Sequence, residues 1–314
     1  MVDVVAPTTR FPSAAARHAR RSRRGLLRSG GGVGPDLLRR LYGVGNDTGS
    51  AAGNAQQAAG FLGEFMAEAD LAAFNAALFP PNVGHNISVV GPNDPSSPGL
   101  EGSLDVQYLM AMGANVSSTY WYTDGSRPYD NEPFLVWLTN VSALPDAALP
   151  STISVSYGDS EYQIDATYAG RVNQEFQALG LRGVSLLFAS GDSGVGANCP
   201  GGVFVPTFPA ASPYVTAVGA TTNPGGETAA SFSSGGFSNM WPAPSYQTAA
   251  IAASFAAAAA SLPPASLYNA TGAGFPDVAA LGTDFLIYCA LPRFCTLLFC
   301  RRASNSIPPP PPPP

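Results

Sequence analysis

Two acidic residues stand four positions apart in the stretch GLEGSLDVQYLM, residues 99–110. The stretch has the pattern of a helix start, and on a helix this spacing stacks Glu101 and Asp105 on one face. Two like charges placed in this way cost an isolated helix roughly 0.2–0.5 kcal/mol. Because only 11% of the chain is charged, two acids at this spacing indicate a chemical role.

A close pair of carboxyl groups can carry acid–base chemistry. The two groups cannot both ionise at low cost, so they share a proton and titrate together. A carboxylate has a reference pKa of about 4, so it can act as a base at acid pH, where a histidine is already protonated. The alternative interpretation is a solvated acidic face, which the neighbours Leu104 and Tyr108 disfavour.

A second group of polar residues follows a predicted buried strand in the stretch FASGDSG, residues 188–194. Gly191 and Gly194 permit a sharp turn. The turn would present Asp192 and Ser193 at the carboxyl end of the strand, where α/β proteins place their chemistry.

The motif GDSG within this stretch also occurs in the nucleophile loop of chymotrypsin-like peptidases. That family needs an antiparallel barrel, a further glycine after the loop and a histidine in an Ala-His-Cys setting. Here Val195 follows the loop and His85 stands in Gly-His-Asn. The chain also alternates helix and strand patterns, so the chymotrypsin-like interpretation is rejected.

Two other stretches contain small or rigid residues. The run SSGGFSN, residues 233–239, would let a peptide backbone approach closely because its residues are small. The run PTFPAASPYV, residues 206–215, contains three prolines and is interpreted as a stiffened loop.

Helix and strand patterns alternate along the body of the chain. Helices are predicted around residues 60–78, 101–105, 132–141 and 161–179, and strands at 87–90, 115–122, 152–156, 184–190 and 214–218. Short apolar strands between helices predict an α/β fold with a doubly wound, mostly parallel sheet and helices on both faces.

The chain divides into three parts by composition. Residues 1–40 form a basic, low-complexity arm with the dibasic cluster Arg20–Arg24, interpreted either as a processing site after a pro-segment or as a solvated disordered arm. Residues 41–288 form the body. Residues 289–314 hold three of the four cysteines and a final run of seven prolines, and this tail does not continue the fold of the body.

The body is strongly acidic. Residues 41–292 contain 19 acidic residues and three arginines, a net charge of −16. Such a body repels itself at neutral pH and is better suited to an acidic compartment, and it argues against a nucleic-acid partner. Compositional drift is the alternative explanation. No apolar run is long enough to predict a membrane span, and the N-terminal residues lack the apolar segment of a signal peptide.

Five Asn-x-Ser/Thr sequences favour a secretory route. They begin at Asn46, Asn86, Asn115, Asn140 and Asn269. The spacing of the cysteines does not match a zinc site, and the two histidines are too scattered to form a metal site. No metal ligands are therefore expected in this chain.

Seven segments taken together resemble the sedolisins, the serine-carboxyl peptidases with a subtilisin-like fold, and in particular their lysosomal tripeptide-releasing branch. The segments stand in family order and cover roughly residues 34–288. They are residues 99–110, 132–135, 155–158, 187–194, 206–209, 234–239 and 276–280.

The resemblance implies roles for individual residues. Glu101 would be the general base for a catalytic serine, with Asp105 hydrogen-bonded behind it. Asp192 would be a protonated carboxyl group that donates a hydrogen bond to the oxyanion, which makes Ser193 a loop residue. The segments that would line the substrate backbone are Ser156, Tyr157 and Gly158, and Ser234, Gly235 and Gly236.

The sequence departs from the family after residue 288. The family's nucleophile lies in a Ser-Gly-Thr-Ser motif, which does not occur in this chain, and the calcium-binding loop that follows it in the family is not found either. We expect a peptidase that acts at acid pH on unfolded polypeptides, by tripeptide release or internal cleavage, in a lysosome or vacuole or outside the cell. The chain as given is expected to be inactive, and a non-catalytic peptide-binding homologue or a truncated gene product are the alternatives.

Overall fold

The computed structural model of the chain describes residues 32–125, 132–196, 199–290 and 294–296. These residues contain α-helices and β-strands in alternation. The helices are α1 (Pro35–Leu41), α2 (Glu68–Leu78), α3 (Leu100–Met112), α4 (Phe134–Ser142), α5 (Ala166–Leu181) and α6 (Thr248–Ala258). The strands are β1 (Ala55–Gly60), β2 (Ser88–Val90), β3 (Ser117–Tyr122), β4 (Thr152–Val155), β5 (Asp159–Ser160), β6 (Ser185–Ala189), β7 (Thr207–Phe208), β8 (Thr216–Thr222), β9 (Thr228–Ala229), β10 (Gly236–Pro242), β11 (Gly272–Phe275), β12 (Val278–Leu281), β13 (Leu286–Tyr288) and β14 (Phe294–Thr296).

The central sheet is almost entirely parallel, as predicted. Its order is β12-β8-β6-β4-β1-β3-β2, and each neighbouring pair in that order is parallel. Strand β9 is added to β8 in the antiparallel direction. A parallel sheet brings the carboxyl ends of β1, β4 and β6 to one edge, which is where ligands bind in open α/β sheets.

Helices cover both faces of this sheet. Successive side chains of a strand point to opposite faces, so two neighbouring residues of β1 show what packs on each face. In β1, Ala59 packs into a cluster with α4 and α5, around the fully buried Trp137 and Phe176. Its neighbour Ala58 packs into a cluster that contains Leu109 of α3. The predicted fold class is therefore confirmed.

Helix α3 is buried on all sides. Every residue from Glu101 to Met112 is buried, because the helix lies between the sheet, helices α1 and α2, and strand β13. The solvated acidic face considered above is therefore wrong, since Glu101 and Asp105 are only 6% and 1% exposed.

The N-terminal end of the described chain packs onto α3. Arg39 in α1 is buried and donates hydrogen bonds to the carbonyl oxygens of Ala111 and Met112, at 2.8 and 2.9 Å. Its guanidinium group also lies 5.2 Å from the centre of the Phe79 ring. Residues 33–40 are thus part of the folded body, although the sequence boundary was placed after residue 40.

The far end of the body meets the same helix. The hydroxyl oxygen of Tyr108 lies 2.7 Å from the carbonyl oxygen of Val33 and 2.8 Å from that of Leu286. The amide of Gln107 bonds to both the carbonyl and the N–H of Tyr288, at 2.6 and 3.0 Å. Strand β13 pairs with β14, so the boundary expected after residue 288 falls within a hairpin.

Two of the predicted elements differ from the structure. The helix predicted over residues 60–78 begins only at Glu68, and it is preceded by strand β1, which was not predicted. The helix predicted over 161–179 begins with a separate 3-10 turn at Glu161–Gln163, and α5 starts at Ala166.

Candidate active site

The centre of the candidate site is a buried contact between α3 and the end of β4. The hydroxyl of Ser156, the first residue after β4, donates a 2.8 Å hydrogen bond to Oδ1 of Asp105. Burial raises the pKa of Asp105 to about 7, the Ser156 bond acts in the opposite direction, and the nearby Glu64 raises it further. Asp105 therefore holds a proton across the acid range in which an ordinary aspartate is ionised.

A third acid, Glu64, belongs to this site and was missed by the sequence analysis. Its Oε2 accepts a 2.9 Å hydrogen bond from the backbone N–H of Glu101 in the first turn of α3. This is a favourable position for a negative group, because N–H groups at a helix start lack partners within the helix.

Two glycines make room for Glu64. A Cβ atom at Gly99 would lie 2.0 Å from Oε2 of Glu64, and a Cβ at Gly102 would lie 2.6 Å from its carbonyl oxygen. The glycines of the stretch GLEG thus let the segment before α2 approach the helix start. They were the one signal in the sequence that pointed to a close neighbour there.

Two buried tyrosines complete the surroundings of the acids. Tyr120 donates a hydrogen bond to the carbonyl oxygen of Glu64, and the hydroxyl of Tyr157 lies 3.4 Å from the carbonyl oxygen of Phe61. Both are 0% exposed. Burial raises the pKa of Tyr120 and of Tyr157 well above the usual value, and the charges of the neighbouring acids raise them further. Asp105 thus lies in a poorly solvated environment, which favours its neutral form.

Asp192 lies at the same edge of the sheet. It follows β6, the neighbour of β4, and the register pairs Val155 with Phe188 near the ends of the two strands. The turn begins at Gly191, whose φ of +111° suits a residue without a Cβ. The parallel sheet therefore brings the loop with Asp192 beside the loop with Ser156.

The predicted segment at residues 234–236 supports the Asp192 loop. The N–H of Ser234 donates to the carbonyl of Gly191 at 2.8 Å, and its hydroxyl accepts from the N–H of Ser193 at 3.0 Å. Gly235 donates to the carbonyl of Gly194 at 3.2 Å. Gly236 begins β10. These bonds fix the position of Asp192 relative to the rest of the edge.

The three residues at 156–158 have different surroundings. Ser156 is bonded to Asp105, whereas the Tyr157 ring is packed in the core at 5.0 Å from Phe61. Gly158 has no side chain and is buried. Any contact of this segment with a peptide would therefore be made by its main chain.

The five glycosylation candidates differ in exposure. Four are exposed, and Asn269 is half-buried. The exposed residues are Asn46, Asn86, Asn115 and Asn140. The side-chain amide of Asn269 donates a 2.7 Å hydrogen bond to the carbonyl oxygen of Ser238, which makes it the least accessible of the five.

In the described part of the chain, no three His, Cys, Asp or Glu side chains are grouped closely enough to hold a metal ion. Within the same ranges, no helix is long and apolar enough to cross a bilayer.

The same fold occurs in a solved structure of Pseudomonas sedolisin, a serine-carboxyl proteinase complexed with two molecules of pseudo-iodotyrostatin. That chain superposes with a TM-score of 0.58 at 20% sequence identity, over 82% of this chain and 73% of the sedolisin. At this identity the likeness shows the fold alone. No protein-family model matches the sequence.

Curated relatives provide the sequence comparison. Tripeptidyl-peptidase 1 of Pongo abelii is 43% identical over 303 residues, and the Homo sapiens protein of that name is 42% identical over the same length. Each match covers 91% of this chain and 52% of the relative. The sequence match and the shared fold support the sedolisin family. The chain spans about half the length of the curated relatives it matches.

Proposed function

We propose that the chain carries the carboxyl groups of a serine-carboxyl peptidase, which releases tripeptides from polypeptides or cleaves within them at acid pH. The observation that carries the proposal is the buried Asp105, which is bonded to Ser156 and lies one helical turn from Glu101. A peptidase that uses a histidine base loses activity in acid, whereas a carboxylate base keeps it.

In this proposal, Glu101 removes the proton from the hydroxyl of a catalytic serine as that oxygen attacks the peptide carbonyl. Asp105 stays protonated behind Glu101, so that a single negative charge is placed in the pair. Asp192 donates a hydrogen bond to the oxyanion of the tetrahedral intermediate. Glu101 then gives its proton to the leaving amine, and water releases the acyl group by the reverse sequence.

The serine of this reaction is not assigned to a residue of this chain. The motif Ser-Gly-Thr-Ser is absent from the sequence. Ser193 lies in the loop that carries Asp192, and Ser156 is only 3% exposed and already bonded to Asp105. We therefore propose that the chain as given does not cleave peptides, which leaves peptide binding without cleavage as the second candidate function.

A lysosomal, vacuolar or extracellular location is part of the same proposal. It is supported by the acidic body and by the exposure of four of the five candidate glycosylation sites. Polypeptides are the proposed partners, and neither nucleic acid nor a membrane is proposed as one.

The proposal is tested with the full chain and with a version in which the sequence after residue 288 is replaced by that of the human relative. Both are assayed with a fluorogenic tripeptide substrate at about pH 4, near the reference carboxylate pKa, and with a covalent serine-directed probe. We expect no turnover and no labelling for the chain as given, and turnover for the extended version.

In the extended version, Glu101→Gln and Asp105→Asn should abolish turnover while the protein remains folded by circular dichroism. Labelling of any serine in the unmodified chain would show that the nucleophile is present and has been misassigned. Full turnover in either amide variant would remove that acid from the mechanism.

A further inference from the structure

An apolar cavity lies beside the segment at residues 234–236, and most of its wall is outside the residues assigned to the reaction. Its volume is about 200 Å³, and Gly235 and Gly236 form part of the wall. An apolar cavity of about 150 Å³ can hold one benzene molecule. The cavity therefore has room for a single aromatic or large aliphatic side chain.

Four half-buried aromatic rings line this cavity. Phe237 lies 5.2 Å from Phe255 and 5.7 Å from Tyr268, measured between ring centres. Tyr268 in turn lies 6.3 Å from Phe204. Aromatic rings at these distances attract each other, so the wall is held together by its own members. None of the described residues that line the cavity is charged, so an ionised group placed there would have no opposite charge.

Helix α6 and the β10–β11 pair carry two of these rings. Phe237 of β10 is paired with Gly274 of β11 in the antiparallel register, and a Cβ atom at Gly274 would lie 3.4 Å from the Phe237 ring. Phe255 lies in α6, a helix in which no residue is buried. The aromatic ring that α6 contributes is therefore not part of the core and is available for contact with a ligand.

Main-chain hydrogen bonds connect the cavity to the candidate active site. The N–H of Gly235 donates to the carbonyl oxygen of Gly194 at 3.2 Å, in the loop that carries Asp192. Val195 of the same loop lines the cavity, and its carbonyl oxygen accepts a 2.8 Å bond from the N–H of Val205, another residue of the wall. The wall thus includes the loop of the proposed oxyanion donor and two glycines of a segment expected to line a peptide.

We propose that this cavity binds one uncharged apolar side chain, aromatic by preference, of a polypeptide whose main chain lies along residues 234–236. Main-chain contacts give an extended peptide its affinity, and pockets for its side chains give specificity. The volume and the uncharged wall select the occupant, and the shared glycines place it next to the peptide. The inference rests on the proposed function for the path of the main chain, but not for the cavity itself.

The test is isothermal titration calorimetry of the full chain at about pH 5, near the carboxylate pKa range. The ligands are acetylated alanine pentapeptide amides in which one alanine at a time is replaced by phenylalanine or by glutamate. At least one phenylalanine peptide should bind about tenfold more tightly than the all-alanine peptide, because its ring leaves water. Glutamate at the same position should give no gain.

Phe255→Ala should remove most of that gain, about fivefold or more, because it deletes apolar contact area from the wall. Leu262→Ala is a second variant of the wall. It lies after α6, so it decides the outcome if Phe255→Ala does not fold by circular dichroism. Tyr246→Ala is the matched control, because Tyr246 is an exposed aromatic residue just before α6 and is not part of the wall. This variant should keep the full gain.

No gain from any phenylalanine peptide, or equal losses in the wall variants and in Tyr246→Ala, would overturn the proposal. Sedimentation velocity of the wild type and the wall variants tests the other occupant, a second copy of the chain. Self-association that is lost with the wall variants would assign the cavity to a dimer interface and would also overturn the proposal.

The binding measurement needs no catalysis, so the two proposals can fail separately. If the extended version does not cleave the tripeptide substrate but phenylalanine peptides still bind through the wall, the proposed reaction is wrong and the cavity assignment holds. Turnover by the extended version without a gain from phenylalanine gives the opposite result.

Discussion

The hydroxyl of Ser156 is directed at Oδ1 of Asp105 across the gap between β4 and α3, and the two atoms are 2.8 Å apart. The other oxygen of Asp105 is buried without a hydrogen-bond partner among the described residues. A charge on Asp105 would thus be stabilised by one donor only, which explains why burial dominates its pKa. This imbalance between burial and hydrogen bonding makes the site sensitive to pH.

Asp105→Asn should weaken the dependence of stability on pH. The pKa of Asp105 is about 7 in the folded chain and about 4 when unfolded, so the folded state binds the extra proton between these values. Wild-type stability should therefore fall as the pH rises through this window, by at most about 1.4 kcal/mol per pH unit from this residue. Thermal unfolding from pH 4 to pH 8 measures the difference between the two proteins.

The exposed acid Glu68 provides the control for that experiment, because Glu68→Gln should follow the wild-type curve. Ser156→Ala removes the one hydrogen-bond donor to Asp105. In this variant, the pH range over which stability falls should therefore extend to higher pH. If the stability of Asp105→Asn depends on pH as that of the wild type does, the raised pKa does not belong to Asp105.

Gly102→Ala should destabilise the chain, whereas Gly170→Ala should stabilise it. Both glycines lie within helices. A Cβ atom at Gly102 would lie 2.8 Å or less from three oxygen atoms of neighbouring segments, whereas a Cβ atom at Gly170 would have no atom of another segment within 4 Å. Overpacking at Gly102 should cost roughly 1–3 kcal/mol, and the gain at Gly170 should be about 0.5–1 kcal/mol. Urea titration at pH 5 measures the free energy of unfolding of both variants. If the two substitutions change it in the same direction, the close approach of Glu64 to α3 is not rigid.

Arg39→Ala should lower the free energy of unfolding by about 2–3 kcal/mol, because two carbonyl oxygens at the end of α3 lose a charged donor. Arg39→Lys should recover only part of this loss, since an ammonium group cannot bond several carbonyls in the planar arrangement of a guanidinium. Arg171→Ala, at an exposed position of α5, is the control. If the Arg39 and Arg171 variants melt at the same temperature, the bonds from Arg39 to the carbonyl oxygens of α3 do not stabilise the fold.

Asp192→Ala, in the extended version proposed above, should lower kcat by about 10²–10³-fold with little change in KM. The bond from Asp192 strengthens as charge develops on the oxyanion, so its loss acts on turnover. Asp192→Asn keeps a donor and should retain more activity than the alanine variant. Steady-state kinetics at about pH 4 distinguish the two, and a change confined to KM would assign Asp192 to substrate binding.

Most of the sheet could be predicted from the sequence, because buried parallel strands are short apolar runs. Strand β1 could not, since it reads AQQAAG and contains two glutamines. Gln56 is buried because its amide donates to the carbonyl oxygens of Leu109 and Gly113 and to the hydroxyl of Ser118. These partners come from other elements, so no local pattern identifies this strand.

The candidate site was predictable to a similar extent. Glu101 and Asp105 share one helix, so their relationship is visible as a spacing. Glu64 approaches the backbone N–H of Glu101 only through the fold, from 37 residues away. Its contribution to the site depends on tertiary distances that a sequence pattern does not contain.

The contacts of Tyr108 constrain the order in which the chain can fold during its synthesis. Its hydroxyl lies between Val33 and Leu286, so one side of the core joins segments from opposite ends of the described chain. At about 5–20 residues per second, a ribosome needs roughly 10–50 s to make the residues between them. During that time α1 and the outer side of α3 lack their final partner and expose apolar surface. This part of the core can close only after translation has passed β13, and contacts of such long range slow folding.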